Sequence, residues 1–459
     1  MAEKLTVTFY GGTGSVTGAN FLLSNGSWKV LIDCGLFQGS SVADENNVAE
    51  LPYNPAVIDV LLVTHAHLDH VGRIPKLVRD GFRGVIYSTL ETKEVAELIL
   101  QDALYILTHE AEQKGQVPLY ELADVQKAFS LWKTSEYHKT IDVVPGLKAE
   151  LKDAGHVLGS TMYELLYTPQ NGPSRKVVFT GDLGNSPSPL LADTEEITDA
   201  DYVIMESVYG DRNHETKVGR EEKFQRVIKD AIARKGVLVV PAFSFERTQI
   251  ILYELNNFIE DGKVPCIPVY LDSPLGIKIT EIYDRTSKYY NPAVQREIFG
   301  GDDIFKFPKL QMVLRADESK ALAHSPNPKI IIAGSGMSTG GRVIHHELNY
   351  LPDPHNTILL MGYQALGTLG RHLLEGSKTV KIYGQEVAVR AHIEMIDGYS
   401  GHKDSDNLVD FVDDTKKTAK AVFVVMGEPK ASLFLVQRLK DYLGVNAVYP
   451  EYGKEYELK

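Results

Sequence analysis

His65-Ala66-His67-Leu68-Asp69-His70 follows the apolar run Val60-Leu61-Leu62-Val63 and decides how this chain is read. A strand ending there opens into a loop that holds three imidazoles and a carboxylate close together. Neutral imidazole nitrogen and carboxylate oxygen are ligands that Zn²⁺ accepts, and two close metals need about this many ligands from one short stretch. A polar, solvated loop is the ordinary alternative. Three of the fourteen histidines fall within six positions, with an aspartate among them, so metal binding is the better reading.

Composition frames the rest. At 459 residues and 43% hydrophobic, the chain has material for two cores, which predicts two domains. The two cysteines, Cys34 and Cys266, stand far apart and form no disulfide framework, which suits a reducing compartment. No apolar stretch approaches bilayer length, and Met1-Ala2-Glu3-Lys4-Leu5 runs straight into a strand-like segment, so the cytoplasm is the expected location and no membrane partner is expected. A net charge of −13 argues against strong non-specific nucleic-acid binding, because counterion release needs clustered Lys and Arg, yet it leaves room for a local basic groove.

Residues 5–10, 20–23 and 28–32 alternate or run apolar between glycine-rich turns and read as successive antiparallel strands. Residues 91–109 and 119–132 carry helical periodicity, and strands return at 149–151, 162–167, 176–180 and 202–205. After Glu206 the rhythm changes. Helical 221–234 precedes 237–240, helical 246–258 precedes 267–271, and alternation continues to 329–332 and 357–360, the pattern of a parallel doubly wound sheet. A strand at 421–425 and a helix at 431–442 then resume a short βα pattern. The expected division is 1–206, an inserted unit 207–395, and a return 396–459. Ligand clefts favour the junction of such units.

Further polar residues stand at strand ends. Asp33 follows Val30-Leu31-Ile32, His156 follows Asp153-Ala154-Gly155, and Asp182 follows Val177-Val178-Phe179-Thr180-Gly181. Asp beside Gly after a strand is ordinary turn chemistry, and it is the 65–70 cluster that draws Asp33 and Asp182 into a site. Taken in order, Asp33, His65 to His70, His156 in Gly155-His156-Val157-Leu158-Gly159-Ser160, and Asp182 in Thr180-Gly181-Asp182-Leu183-Gly184 resemble the four motifs of the metallo-β-lactamase family. Glu206 in Met205-Glu206-Ser207-Val208-Tyr209-Gly210 and His402 in Gly398-Tyr399-Ser400-Gly401-His402 resemble the first two added motifs of its β-CASP branch. That branch includes the nuclease subunit of the pre-mRNA cleavage and polyadenylation machinery, bacterial and archaeal relatives, and the DNA nuclease Artemis. Segments 241–247, 335–342 and 362–371 look like the RNA-processing members.

The resemblance implies an αββα sandwich with an inserted β-CASP domain, and a metal-dependent nuclease that hydrolyses single-stranded RNA through a metal-bound hydroxide. It implies one zinc on His65, His67 and His156, a second on Asp69 and His70, Asp182 bridging, and Asp33 orienting the ligand loop. One to two Zn²⁺ per chain are expected, with Mn²⁺ or Fe as substitutes. Asp69, Glu206 and His402 are the residues it places at the chemistry, with His402 protonating the leaving 3′ oxygen and Glu206 orienting it.

Ser335-Gly336-Met337-Ser338-Thr339-Gly340-Gly341-Arg342, with Arg371, is expected to hold phosphate through backbone N–H groups, a helix N-terminus and guanidinium; a flexible turn is the plain alternative. One motif departs from the pattern. The RNA-processing members end a late strand in His-Gly-Glu, whereas Val424-Val425-Met426-Gly427-Glu428 puts Met426 in the histidine's place, leaving the second metal with three protein ligands. Some DNA-processing members are also apolar there, so RNA is favoured over DNA on the glycine-rich segments alone. His214, His345, His346 and His372 read as surface or structural residues. A non-catalytic nucleic-acid-binding or scaffold subunit and a small-ester hydrolase remain rival functions, and a homodimer remains open.

Overall fold

The computed structural model describes residues 4–39, 41–365 and 367–459. Met1 to Glu3 and Leu366, which the readings of the N-terminus and of segment 362–371 touch, lie outside them. The chain divides into two compact units, one comprising the residues through Asn213 together with His402–Lys459, the other His214–Gly401.

The first unit contains two seven-stranded sheets. One runs Glu455–Glu457, Thr6–Phe9, Phe21–Ser24, Lys29–Ile32, Val60–Leu62, Val85–Ser88, Trp132–Thr134. It is antiparallel as far as Lys29–Ile32 and parallel beyond. The other runs Ala447–Val448, Ala421–Val424, Tyr202–Met205, Arg175–Phe179, Thr161–Tyr167, Leu147–Asp153, Thr140–Val144, parallel over its first four strands. Alternate residues form one core between them: Val7, Phe9, Val30, Ile32, Val60 and Leu62 from the first sheet meet Ala149, Leu151, Tyr163, Leu165, Val177, Phe179 and Phe423 from the second. Period-two alternation puts these side chains on one face, and fully burying a Val, Leu, Ile or Phe among them is worth roughly 1.5–3 kcal/mol. The outer face of the second sheet, Met162, Val178, Val203, Met205 and Val422, packs on Leu408 and Val412 of helix Ser405–Asp413 and on Leu435 and Leu439 of helix Pro429–Leu443.

The helix expected over 119–132 is shorter, Leu122–Ser130, and is followed by strand Trp132–Thr134. Trp132 stacks on Phe129 (5.1 Å between centroids), its indole N–H donates to Ser88 Oγ (2.8 Å), and its backbone pairs with Ile86. An edge strand of three residues leaves no periodicity for a sequence to display.

The second unit holds a six-stranded sheet, Leu310–Met312, Val269–Asp272, Lys329–Ala333, Val237–Pro241, Thr357–Met361, His392–Ile396, with every neighbour parallel. A hairpin, Thr379–Ile382 and Gln385–Ala388, adds a small second sheet that periodicity did not suggest. Cys34 and Cys266 are free thiols. Among the described residues, no helix is long and apolar enough to cross a membrane.

Candidate metal centre

Parallel pairing sets the site's position. Lys29–Ile32 and Val60–Leu62 pair with Ile32 opposite Leu62, so Asp33 and the 65–70 loop leave the sheet at the same edge. In the facing sheet Phe179 pairs with Ile204 and Met205 with Val424, which brings Asp182, Glu206 and Met426 out at the carboxyl ends of neighbouring strands. Carboxyl ends of parallel strands are where open α/β sheets place their ligands.

Four ligand atoms converge there. His65 Nε2 is 3.0 Å from His67 Nδ1, and His156 Nε2 is 3.4 Å from the same atom. Asp182 Oδ2 stands 3.6 Å from both His65 Nε2 and His156 Nε2. Tetrahedral Zn²⁺ with bonds of about 2.0–2.1 Å holds its ligand atoms about 3.3 Å apart. The donor set therefore fits zinc in both chemistry and spacing.

The loop fixes which nitrogens are bare. Asp33 Oδ1 accepts the Thr64 backbone N–H (2.8 Å), while Oδ2 accepts the Thr64 hydroxyl (2.8 Å) and His70 Nδ1–H (2.7 Å). Thr64 has one hydroxyl proton, and the carboxylate is its stronger acceptor. His65 Nδ1, 3.1 Å from Thr64 Oγ1, must then donate, leaving the Nε2 lone pairs of His65 and His70 for a cation. Buried His70 Nε2 and Asp182 Oδ1, 3.4 Å apart, make no well-formed hydrogen bond among the described residues, and Asp69 Oδ2 lies 3.8 Å from His70 Nε2. Orphaned polar atoms in the interior are costly, and a metal would relieve them.

Electrostatics leave His65 and His67 ready for a cation, whereas His70 has to give up a proton from Nε2 to take one. Burial pushes His65 well below its ordinary value and His67 down to about 3, so both stay neutral. Burial would also raise Asp182, but His70, with His65 and His402, holds it well below the carboxylate range. His70 goes the other way: burial lowers it, and Asp182, Asp33 and Asp69 together raise it well above 6.5. Burial raises Asp69 to about 6.

Beside the imidazoles lies a second group, Asp182, Glu206 and His402. Buried Glu206 accepts His402 Nδ1–H (3.1 Å) and the Leu183 backbone N–H (2.7 Å) through Oε1, and Val208 N–H (3.3 Å) through Oε2. The segment carrying His402 is laid against the Asp182 turn by the isolated Gly184–His402 bridge and by Lys403 N–H donating to Leu183 O (2.9 Å).

Other expected residues fall elsewhere. Met426 is buried in the sandwich core, its sulfur against Gly12. In the second unit, Arg342 is committed internally: Nη1 donates to Asp272 Oδ1 (2.6 Å) and Val313 O (3.0 Å), and Nη2 to Leu314 O (2.7 Å). Arg371 Nε donates to Glu375 Oε1 (2.7 Å). Around Arg342 the turn is held by Ser335 Oγ against Thr339 Oγ1 (3.0 Å) and by Ser338 Oγ donating to Glu347 (2.5 Å). His346 donates to Asp272 (2.7 Å), and His345 lies against Tyr383. His372 is exposed and His214 half-buried. Sequence reasoning missed Thr64, because a threonine after a strand looks ordinary until its hydroxyl is seen between two histidines and an aspartate.

Family profiles match in chain order: the metallo-β-lactamase superfamily domain over residues 22–194, the β-CASP domain over 248–373, and the Zn-dependent metallo-hydrolase RNA specificity domain over 386–450. Ribonuclease TTHA0252 of Thermus thermophilus is 35% identical over 426 residues, covering 93% of this chain and 94% of that protein. Transcription termination factor FttA of Methanosarcina mazei is 32% identical over 447 residues, covering 94% and 68%, and that of Pyrococcus horikoshii is 30% identical over 468 residues, covering 97% and 70%. A solved structure of a protein of unknown function from Enterococcus faecalis V583 shares the fold, with a TM-score of 0.55 at 14% identity over 99% of this chain and 100% of that one. With an imidazole and carboxylate cluster at the ends of its strands and all three profiles in order, the chain belongs to the β-CASP family of zinc-dependent, RNA-specific metallo-hydrolases in the metallo-β-lactamase superfamily.

Proposed function

We propose that the chain hydrolyses phosphodiester bonds of single-stranded RNA, with one zinc held by His65, His67, His156 and Asp182 and a second by Asp69, His70 and Asp182. The observation that carries this reading is the convergence of His65 Nε2, His67 Nδ1, His156 Nε2 and Asp182 within 4.8 Å of one another. Zinc, when bound, acidifies coordinated water and polarises a phosphoryl oxygen.

The chain's own residues supply the rest. Asp33 and Thr64 lock two imidazoles in the tautomer that leaves Nε2 bare. Glu206 holds the His402 proton on Nδ1 and turns the ring, so that protonated His402 can give a proton to the leaving 3′ oxygen. Burial lowers His402, but the Glu206 charge and hydrogen bond, helped by Asp182 and Asp69, override it and raise the ring to about 9, so it carries its proton at neutral pH. Two unbridged cysteines suit a cytoplasmic setting.

Cleavage of matched RNA and DNA oligonucleotides, with elemental analysis of the same preparation, tests the reading. One to two equivalents of zinc and hydrolysis of RNA alone are expected, with activity lost to a chelator and restored by Zn²⁺ or Mn²⁺. Hydrolysis of DNA in preference would assign the chain, with Met426 at its last motif, to DNA instead. Metal-free protein indifferent to added metal would end the proposal.

A further inference from the structure

In the second unit the carboxyl ends of Val237–Pro241, Val269–Asp272, Lys329–Ala333 and Thr357–Met361 open on one edge of the parallel sheet. Hydroxyls gather there. Ser244 Oγ and Ser273 Oγ lie 3.0 Å apart, and a Cβ added to Gly334 would stand 3.5 and 3.7 Å from them. Gln364 Nε2 donates to Gly336 O (3.1 Å), tying a fourth strand end to the glycine-rich turn.

Two phenylalanines in the turn after Val237–Pro241 are placed differently. Phe245 is buried, edge-on to Tyr283 with 6.3 Å between centroids. Phe243 is 40% exposed. A single exposed apolar side chain needs no explanation by itself. Phe243, however, is held in place. Its carbonyl accepts both Thr248 N–H (3.2 Å) and Thr248 Oγ1–H (2.8 Å). Its ring lies so close over Gly336 that a Cβ there would come within 2.6–3.0 Å of three ring carbons. One face thus rests on bare backbone, and Gly336 has to be glycine for the ring to lie so. Arg342 is committed to Asp272, Val313 and Leu314, and this edge still offers a nucleic acid the hydroxyls of Ser244, Ser273, Ser335 and Thr339 and an aromatic face.

We propose that Phe243, backed by Gly336, is a nucleobase-stacking subsite of the second unit, where one base of the RNA lies on the ring while its phosphate meets the hydroxyl-bearing turns. The inference rests on the RNA-hydrolase reading above. Stacking accepts every base, so this subsite contributes affinity and register without selecting a sequence.

The test compares wild type, Phe243→Ala, Phe243→Trp and, as control, Phe299→Ala, which removes another exposed ring of the same unit. Substrates are one RNA oligonucleotide and a set carrying a single abasic ribose at successive positions. Phe243→Ala should raise KM about tenfold with a smaller change in kcat, Phe243→Trp should restore it, and Phe299→Ala should match wild type. One abasic position should cost wild type a similar factor and cost Phe243→Ala nothing further. Unchanged KM in Phe243→Ala, or the same abasic penalty in both proteins, overturns the subsite. If wild type cleaves no RNA, the hydrolase reading fails separately. The anisotropy of the labelled RNA with the same four proteins then decides the stack, equal affinities of Phe243→Ala and wild type overturning it.

Discussion

His402 stands where burial and charge oppose each other, and Glu206 decides the outcome by accepting the Nδ1 proton at 3.1 Å. Replacing His402 by Ala should lower kcat by about 10²-fold or more while zinc content and RNA affinity stay near wild type, since general acid catalysis is typically worth about 10²–10⁴-fold. Turnover within a few-fold of wild type would remove it from the mechanism. Asp33 acts at one remove, through His70 and Thr64. Asp33→Asn should weaken metal binding by about 10–100-fold, read as earlier zinc loss in a chelator titration; identical titrations would show that the hydrogen bonds do not tune the metal. At this scale the gathering of His65, His67, His156 and Asp182 was legible, because imidazole and carboxylate in tight spacing have few other uses. Thr64 and the commitment of Arg342 to Asp272 were not, since a hydroxyl or a guanidinium shows its partner only in three dimensions.

Strand ends, rather than loops alone, align the site, and tight glycines let the two meet. A Cβ on Gly35 would lie 1.5 Å from Asp69 O and 2.7 Å from His70 N, so the backbone carrying both proposed second-metal ligands must move to admit it. Gly35→Ala should therefore lose the second zinc equivalent before the first and lose activity with it, as elemental analysis against chelator concentration will read; unaltered stoichiometry would show that the loop yields elsewhere. Residues 149–151 were legible within the half-buried strand Leu147–Asp153, because burial of one face writes itself into every second residue. Three-residue edges such as Trp132–Thr134 carry too few residues to write anything, and there the neighbouring helix was read through into the strand.

Across the whole chain, the insertion was legible as a change of rhythm from alternating strands to strand–helix pairs, and the pairing of Glu455–Glu457 with Thr6–Phe9 shows the C-terminal segment completing the sheet that the N-terminus begins. What rhythm could not show is where charge is buried. Glu347 is buried with one oxygen on Ser338 and the other without a partner among the described residues, and burial raises it from 4.5 to about 7. Between those values the folded chain keeps a proton that the unfolded chain has released, so the stability tied to it is whole below about pH 4.5 and is lost as pH rises through about 7. The loss is on the order of 3 kcal/mol. Glu347→Gln carries no such proton, so its denaturant midpoint should fall less than that of wild type between pH 5 and pH 8, and the two should differ most at the alkaline end. Midpoints that run parallel across this range would show that Glu347 releases its proton without cost, and that water or a cation reaches the carboxylate.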